Sequence, residues 1–404
     1  MNSPTILLAV NAFPSMSETF IERKVSTLVS QGFDVVVGAS SFGDGATRTG
    51  ARLMPLTPWR HPVDSTRRLR TMGVGTAARV LASASGGRSK AAVLAAPLTA
   101  VRADLIHFEY SGIAVAYRAV LDRLRPARVV VSCRGSAELI RPVVEPSRRA
   151  ALVDTLRAAD SIHCVSQHMA EHLRRMGVTP GKVFVNRPAV DVDTFARLHR
   201  ATPRDTTQPL RILSVGRLHW CKALDDALAA VALTTAAGVP LRYRIVGAGP
   251  ERERLAFLIS QLGLADSVEL VGPLPADAVR AELANTDVVL LTSLSEGISN
   301  SAVEAMSAGV PVVSTRAGGM AEAVIDGQTG LLAEIGDVAG ISRCLVELAS
   351  DEERRGRLGR NAMEAMTAEF DLSRQVRVFA DEYRRLLESP AHRTSTGPNR
   401  ATAP

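Results

Sequence analysis

The chain has 404 residues, of which 46% are hydrophobic and 22% charged, and this is the balance of a soluble globular protein with two or three domains. No apolar run approaches the roughly 18 residues of a transmembrane helix, and the first run, residues 6–10, is too short for the core of a signal peptide. Composition therefore argues against a membrane-spanning protein, and we expect a cytoplasmic one.

The four cysteines lie far apart in the sequence and form no Cys-x-x-Cys pair. Scattered cysteines are typical of small buried hydrophobic residues in a reduced compartment. We therefore expect neither a disulfide framework nor a zinc site from Cys133, Cys164, Cys221 and Cys344.

The net charge of +7 is concentrated in one stretch. Residues 48–102 contain ten Lys and Arg and one acid, Asp64, so this basic block carries +9 and the rest of the chain −2. Such a block favours an anionic partner, and one candidate is an anionic membrane surface. The stretches near 76–84 and 91–101 could form helices with arginines on one side that bind this surface. A solvated helical face is the alternative. Nucleic acid is disfavoured because no aromatic residues interleave the charges and no binding motif accompanies them.

Short apolar, β-branched runs alternate with helical patterns along the chain. Most runs are continuously apolar, as in strands covered on both faces, so the sequence predicts an α/β protein built from βαβ units. Predicted strands are 6–10, 34–39, 105–108, 129–133, 161–165, 183–185, 211–215, 242–246, 268–271, 288–291, 311–314 and 330–332. Predicted helices are 17–31, 225–237, 251–262, 300–308, one helical stretch at 338–370, and 372–388.

Residues 199–209 are polar and show no periodicity, so we interpret this region as the link between two similar α/β halves. The sequence thus predicts two Rossmann-like, doubly wound domains with parallel sheets. The predicted boundaries are 1–200 and 210–370 for the domains, 201–209 for the linker, 371–388 for a helix returning to the first domain, and 389–404 for a disordered tail.

Residues 294–315 predict an anion-binding site. A strand predicted at 288–291 ends, a loop carries Glu296 and Gly297, and a helix follows. At the carboxyl end of a parallel strand, the free amides and the dipole of a helix N-terminus can hold phosphate groups. We expect a diphosphate on the amides around Ser299, Asn300 and Ser301.

Two glutamates frame this helix start. Glu296 precedes it and Glu304 lies one turn inside, so the two can reach opposite ends of one extended ligand. An ionised carboxylate accepts hydrogen bonds from two vicinal hydroxyls, which suits a sugar. Taken alone, such a pair is more often a loop charge and a solvated helix residue. The adjoining phosphate site favours the ligand role.

A second segment, directly after the strand predicted at 211–215, contains Gly216, Arg217 and Lys222 and leads into another helix. Two cations at the carboxyl end of a strand, facing a helix N-terminus, can neutralise a leaving diphosphate. Each cation alone is more often a surface charge, but together with the glutamate segment they favour a phosphate-binding role.

In this order the two segments resemble the family-four glycosyltransferases, whose fold of two Rossmann-like domains facing a cleft is known as GT-B. The match covers residues 214–332, and its motifs are highly specific. The matching positions are Gly216, Arg217, Leu218, Lys222, Glu296, Gly297, Glu304, Ala305, Met306, Gly309, Pro311, Val312, Val313, Gly318, Gly319, Glu322, Asp326, Gly327, Gly330, Leu331 and Leu332.

The resemblance implies a retaining glycosyltransferase that needs neither metal nor cofactor and uses a UDP- or GDP-linked sugar as donor substrate. Arg217 and Lys222 would hold the diphosphate, Glu304 the ribose hydroxyls, and Glu296 the hydroxyls of the donor sugar, with the leaving phosphate as the base. The acceptor would be a glycan, a lipid-linked sugar or a small molecule. In the sequence we identify no Asp-x-Asp motif as a metal–diphosphate clamp and no Asp, Glu and His cluster with metal-ligand spacing.

Gly247 and Gly249 form Gly-x-Gly without the third glycine, which is a weak dinucleotide fingerprint and argues against a simple dehydrogenase. A close strand-to-helix turn is the better interpretation of this pair. The resemblance places the segment of Gly247 beside the donor pocket.

The first half resembles the family less closely. Residues 13–21 resemble the opening of its exopolysaccharide branch, similar to enzymes of colanic acid synthesis, which would place Ser17 and Glu18 near the acceptor or the diphosphate. A helix cap with a first-turn acid is the alternative. Arg134 stands where many relatives have a histidine. His107 is another candidate facing the cleft, although a single histidine at a strand end is more often structural.

Besides the transferase, two functions remain open: a nucleotide-sugar hydrolase or epimerase, and a non-catalytic partner subunit of the same fold. The second is disfavoured because a protein that only binds could lose the charged residues at the four predicted site positions. Those residues are Arg217, Lys222, Glu296 and Glu304.

Overall fold

The structure, a computed structural model, describes residues 3–15, 19–56, 97–198 and 208–389. Ser17 and Glu18, most of the basic block and of the linker predicted at 201–209, and the tail after residue 389 lie outside the described residues. Among those described, no helix is both long and apolar enough to cross a bilayer.

The first half of the chain forms a seven-stranded parallel sheet of order β5-β3-β1-β6-β7-β8-β9. Two short strands, β2 and β4, pair with each other beside it. The strands are β1 (Thr5–Ala9), β2 (Ala12–Phe13), β3 (Asp34–Ala39), β4 (Ser41–Phe42), β5 (Arg52–Pro55), β6 (Leu105–Phe108), β7 (Arg128–Cys133), β8 (Ser161–Cys164) and β9 (Val183–Val185).

The second half forms a six-stranded parallel sheet of order β12-β11-β10-β13-β14-β15. In both sheets the strand order reverses beside the first strand of that half, as in a doubly wound fold. The strands are β10 (Leu210–Val215), β11 (Leu241–Val246), β12 (Val268–Gly272), β13 (Val288–Leu291), β14 (Val312–Thr315) and β15 (Gly330–Ala333). The prediction of two α/β units with parallel sheets is confirmed.

Helices cover both faces of each sheet, and the two faces of each sheet carry separate apolar cores. The helices are α1 (Thr19–Ser30), α2 (Ser111–Ala116), α3 (Ser136–Leu139), α4 (Arg141–Val144), α5 (Pro146–Ala158), α6 (Gln167–Arg175), α7 (Val192–Ala196), α8 (Leu224–Ala236), α9 (Arg252–Gln261), α10 (Ala276–Ala284), α11 (Asn300–Ser307), α12 (Met320–Ala323), α13 (Val338–Ser350), α14 (Glu352–Glu369) and α15 (Leu372–Glu388).

Two parts of the predicted element order were wrong. The helical stretch predicted at 338–370 is divided at Asp351, whose side chain caps α14 by accepting from the amide of Arg354 at 2.8 Å. The short strands β2, β4 and β5 were not predicted. Of these, β5 is an edge strand that pairs with β3 alone and ends in a proline, so it shows no buried apolar run.

The last helix, α15, packs against the first sheet although it follows the second in the chain. Its Phe379 and Tyr383 are fully buried in one core with Ile6 and Leu8 of β1. The chain passes from α14 to α15 beside Val190, which exchanges backbone hydrogen bonds of 3.1 and 3.0 Å with residues 370 and 372. The two halves are thus tied together close to the linker.

The cysteines are all free thiols. Cys133, Cys164 and Cys221 are buried, as predicted, whereas Cys344 is half-buried.

Candidate active site

The two predicted segments meet at the carboxyl edge of the second sheet. Gly216 and Arg217 follow β10, and the loop at 292–299 follows β13, its neighbour across the point where the strand order reverses. Open parallel sheets bind ligands at such a point, because the loops of the two strands leave in opposite directions and open a crevice.

The ammonium of Lys222 forms an ion pair with the carboxylate of Glu296. These side chains are 21% and 15% exposed, so the pair lies partly sheltered beside the pocket that Arg217 and Ser293 also line. The hydroxyl of Ser293 donates to the same Glu296 oxygen at 2.9 Å. The fold therefore joins the cation and the carboxylate that the sequence placed in separate motifs.

The backbone around this pair is held by hydrogen bonds between the two segments. The hydroxyl of Thr292 donates to the carbonyls of Lys222 and Ala223 at 3.0 and 2.8 Å, and the amide of Leu294 donates to the carbonyl of Cys221 at 2.9 Å. Ala223 has a φ of 42°, in the left-handed region that non-glycine residues rarely adopt. This strained turn directs Lys222 toward the Glu296 loop.

Arg217, by contrast, is exposed, and its side chain makes no hydrogen bond or ion pair with any residue that the structure describes. The charge of Lys222 is balanced by Glu296, so Arg217 is the cation of this pocket that is ready for an incoming anion. Arginine suits a diphosphate because its planar guanidinium can donate two parallel hydrogen bonds.

The N-terminus of α11 directly follows the loop that carries Glu296. Ser299 precedes the helix, and its hydroxyl is within hydrogen-bond distance, 2.9 Å, of the hydroxyl of Ser301. Its amide faces the sulfur of Met320 at 3.4 Å. The amides of Asn300 and Ser301 donate to no described residue and are therefore the two that can receive a phosphate oxygen.

Glu304 lies one turn inside α11, and its carboxyl group has no hydrogen-bond partner among the described residues. Burial raises the pKa of Glu304 to about 7, while the more distant Arg280 and Arg23 act in the opposite direction. Partial withdrawal from water makes the ionised form of this carboxyl group less favourable in the free protein. The carboxyl group is available for a ligand that donates hydrogen bonds.

Glycines allow the loops of the second sheet to pack backbone against backbone. A Cβ atom at Gly247, whose φ is 149°, would lie 1.8 Å from the carbonyl oxygen of Gly216. One at Gly249 would lie 2.1 Å from the carbonyl oxygen of Leu218. The prediction of a close turn at these glycines is confirmed, and a role of Gly247 in donor binding stays a prediction.

Arg134 follows β7 in the first half, and its guanidinium is held inward. Nη2 donates to the Glu109 carboxylate at 2.6 Å and Nε to the Glu109 carbonyl at 2.9 Å, while the ring of Phe20 lies 4.7 Å from the guanidinium carbon. The carbonyl oxygen of Arg134 touches Gly297, where a Cβ atom would approach it to 2.5 Å. Arg134 thus lies where the two halves of the chain meet, beside Glu296.

His107 lies in the interior and reaches no surface. It is fully buried, with Nδ1 2.5 Å from the hydroxyl of Tyr383 and Nε2 2.7 Å from that of Ser132. Burial holds the pKa of His107 well below its usual value, so the imidazole is neutral at physiological pH. These contacts favour the structural interpretation of this histidine.

Two charged residues behind Arg134 were missed from the sequence. Lys24 is 1% exposed and donates to Glu109 at 2.6 Å, so this buried carboxylate forms ion pairs with both Lys24 and Arg134. Burial lowers the pKa of Lys24 to about 8. Burial alone would raise the pKa of Glu109, but the neighbouring cations hold it well below its usual range. The sequence offered one signal that Lys24 is buried. Lys24 lies three residues after Ile21 and four before Leu28, which places it on the apolar face of α1.

The sequence contains one Asp-x-Asp, at Asp191 and Asp193, outside the predicted donor site. Asp191 caps α7 and pairs with Arg23 at 3.0 Å, so its carboxylate is already engaged. Among the described residues, no group of three or more His, Cys, Asp or Glu is arranged to hold a metal ion.

Both halves of the chain resemble known proteins. Residues 17–194 match the family model described as Glycosyltransferase Family 4, and residues 196–365 match that described as Glycosyl transferases group 1. The chain is 30% identical over 399 residues to WcaL of Escherichia coli K12, named as a colanic acid biosynthesis glycosyltransferase, covering 90% of this chain and 95% of that protein. It is also 30% identical to the amylovoran biosynthesis glycosyltransferase AmsK of Erwinia amylovora, over 84% of this chain and 89% of that protein.

Among solved structures, Anabaena HepE in complex with UDP-glucose superimposes with a TM-score of 0.74 at 19% identity, over 94% of this chain and 99% of that chain. This likeness shows the GT-B fold. Both halves match in order, and the relatives are covered over most of their length. The chain therefore belongs to the family-four type of glycosyltransferases, in the exopolysaccharide branch that includes the colanic acid and amylovoran proteins.

Proposed function

We propose that this glycosyltransferase moves a sugar from a nucleotide sugar to a glycan, lipid-linked or small-molecule acceptor, with retention of anomeric configuration and without a metal ion. The observation that carries the proposal is that Arg217, the Lys222–Glu296 ion pair and the start of α11, whose first two amides donate to no described residue, all follow the carboxyl ends of neighbouring strands. The Anabaena protein of the same fold was solved with UDP-glucose, and we extend that donor class to this chain.

In this proposal the ion pair separates when the donor binds. Lys222 turns to the diphosphate beside Arg217, and Glu296 accepts hydrogen bonds from hydroxyls of the donor sugar. The exchange leaves both charges compensated, because the ammonium gains an anion as the carboxylate gains hydroxyl donors. Glu304, whose carboxyl group has no hydrogen-bond partner among the described residues, accepts the ribose hydroxyls one helical turn further on.

The proposed reaction breaks the bond between the anomeric carbon and the phosphate oxygen. The acceptor oxygen forms its bond to that carbon on the same face, and the acceptor proton passes to the departing phosphate oxygen. Arg217, Lys222 and the amides of Asn300 and Ser301 stabilise the negative charge that collects on the diphosphate. The protein thus supplies positioning and electrostatic stabilisation, and the donor supplies the base.

Because cationic side chains and helix amides take the place of a metal here, transfer should survive chelation. We expect release of the nucleoside diphosphate to continue at an unchanged rate in excess EDTA, measured with acceptor present. Loss of activity on chelation, restored by magnesium or manganese, would contradict this mechanism. The same assay without acceptor separates the functions, since a hydrolase would consume the donor equally fast in its absence.

We further propose that the acceptor is presented at an anionic membrane, a proposal that the net charge of +9 in residues 48–102 supports. Binding to vesicles containing phosphatidylglycerol should appear at low salt and fall as salt rises, whereas vesicles of phosphatidylcholine alone should bind little. If the protein stays in the supernatant with both compositions at low salt, the acceptor is soluble and the basic block is a solvated face.

A further inference from the structure

Glu322 belongs to the second half of the chain, but its carboxylate lies on a helix of the first. One oxygen accepts from the amide of Gln167 at 2.9 Å and the other from that of His168 at 2.8 Å, which are the first two amides of α6. A guanidinium nitrogen of Arg187 lies 3.5 Å away, and the Glu322 side chain is 18% exposed. This sheltered contact joins the two halves across the cleft.

The contact completes the cap of α6. Ser166 precedes the helix and accepts from the amide of Met169 at 3.1 Å, which leaves the amides of Gln167 and His168 for Glu322. A helix N-terminus carries partial positive charge, and hydrogen bonds to an ionised acceptor are stronger than neutral ones. Separating the halves would leave two amides and one carboxylate without these partners.

The helix that carries Glu322 also rests on the Glu296 loop. A Cβ atom at Gly318 would lie 1.9 Å from the carbonyl oxygen of Glu296, and one at Gly319 would lie 1.9 Å from that of Gly297. The amide of Gly319 donates to the Glu296 carbonyl at 3.2 Å. Any movement of this helix relative to the first half is therefore transmitted to the backbone of Glu296.

We infer that Glu322 is a positioning residue for the transfer reaction: by capping α6 it holds the two halves closed and fixes the Glu296 loop against Arg134. Glu322 touches neither the pocket of Arg217 and Lys222 nor Glu304, so its effect passes through domain closure. This inference rests on the proposed function where it is tested by kcat. The closed arrangement of the two halves rests on the contact geometry alone.

The test is Glu322→Ala, with Glu364→Ala as the matched control. Glu364 is an exposed helix glutamate of the second half with no ion pair to a described residue. We expect Glu322→Ala to lower kcat about tenfold, because closure is weakened. The affinity for UDP, which the pocket of the second half binds by itself, should change less than about twofold. Small-angle scattering should show a larger radius of gyration, and the control should match the unaltered protein.

A second variant removes the partner's side of the contact. Gln167 is exposed and occupies the first position of α6, where proline is tolerated, and Ser166 before it is extended, as a residue preceding proline must be. Gln167→Pro therefore deletes one of the two amides with the helix intact. We expect a smaller loss of kcat than in Glu322→Ala, and no further loss when the two changes are combined.

An unchanged kcat in Glu322→Ala would overturn the inference, as would a UDP affinity that falls in step with kcat, since the effect would then lie in the donor pocket. If the two losses of kcat multiply in the double variant, Glu322 acts independently of the α6 amides, which would also contradict the inference. If the unaltered protein consumes no nucleotide sugar, the proposed function fails, but the scattering comparison still decides whether Glu322 holds the halves closed.

Discussion

Lys222→Ala should lower the rate of sugar transfer at saturating donor by about 10²–10³, which corresponds to about 2.7–4 kcal/mol of lost transition-state stabilisation. The ammonium is the cation of the Lys222–Glu296 pair and lines the pocket beside Arg217. Without it, charge developing on the diphosphate is compensated by Arg217 and the α11 amides alone. Steady-state kinetics with a nucleotide sugar provide the measurement.

Among the described residues, the change also leaves Glu296 with the Ser293 hydroxyl as its one side-chain partner. Thermal unfolding must therefore show that Lys222→Ala is folded at the assay temperature. Arg242→Ala is the matched control, because Arg242 is an exposed cation near the amino end of β11, away from the crevice. Near-normal turnover in Lys222→Ala, with donor saturating, would remove Lys222 from the reaction.

Glu304→Gln should stabilise the free protein while it weakens the binding of the donor. Burial raises the pKa of Glu304 from 4.5 to about 7, so between these values the folded state binds more protons than the unfolded state. The unaltered protein therefore loses stability as pH rises through this window, and the neutral glutamine does not. The stability difference should be small near pH 4.5 and grow to at most about 3 kcal/mol above pH 7.

Donor binding, unlike folding, should favour the ionised form of Glu304. Ribose hydroxyls donate to an ionised carboxylate, so the donor must first displace the proton that Glu304 holds at low pH. The affinity of the unaltered protein for a nucleotide sugar should rise about tenfold between about pH 6 and pH 8. That of Glu304→Gln should be lower at pH 8 and vary little with pH. Calorimetry measures both, and Glu364→Gln serves as the exposed control.

An unchanged nucleotide affinity in Glu304→Gln would remove Glu304 from the site. A variant that is no more stable than the unaltered protein at pH 8 would show that the carboxyl group is better solvated than its surroundings in α11 indicate.

The fold could be predicted from the sequence because its strands are buried on both faces. Residues 35–39 and 288–291 contain no charged or polar side chain, as expected of a covered parallel strand, and the predicted bounds 34–39 and 288–291 agree with β3 and β13. The edge strand β5 has one free side and no such run, so it was missed. The break at Asp351 was missed because helical periodicity continues across it, and only the capping side chain ends one helix and begins the next.

That the two segments of the predicted donor site lie at one sheet edge could be predicted, because each segment follows a strand of the same parallel sheet. The Lys222–Glu296 pair itself could not, since those residues lie 74 positions apart and meet only when β10 and β13 become neighbours. The buried cluster of Lys24, Glu109 and Arg134 was hidden for the same reason, as three separate elements contribute one charge each. Partners this distant in sequence are found from the fold.

Retaining transfer from a nucleotide sugar can be tested by the stereochemistry of the first product. UDP-, GDP- and ADP-linked α-sugars are each incubated with the protein in excess EDTA, and the anomeric proton of the sugar product is followed by NMR before mutarotation. We expect that one donor releases its nucleoside diphosphate and yields a product that is α at first appearance, with water or a supplied acceptor. A product that is β at first appearance, or no release from any donor, would contradict it.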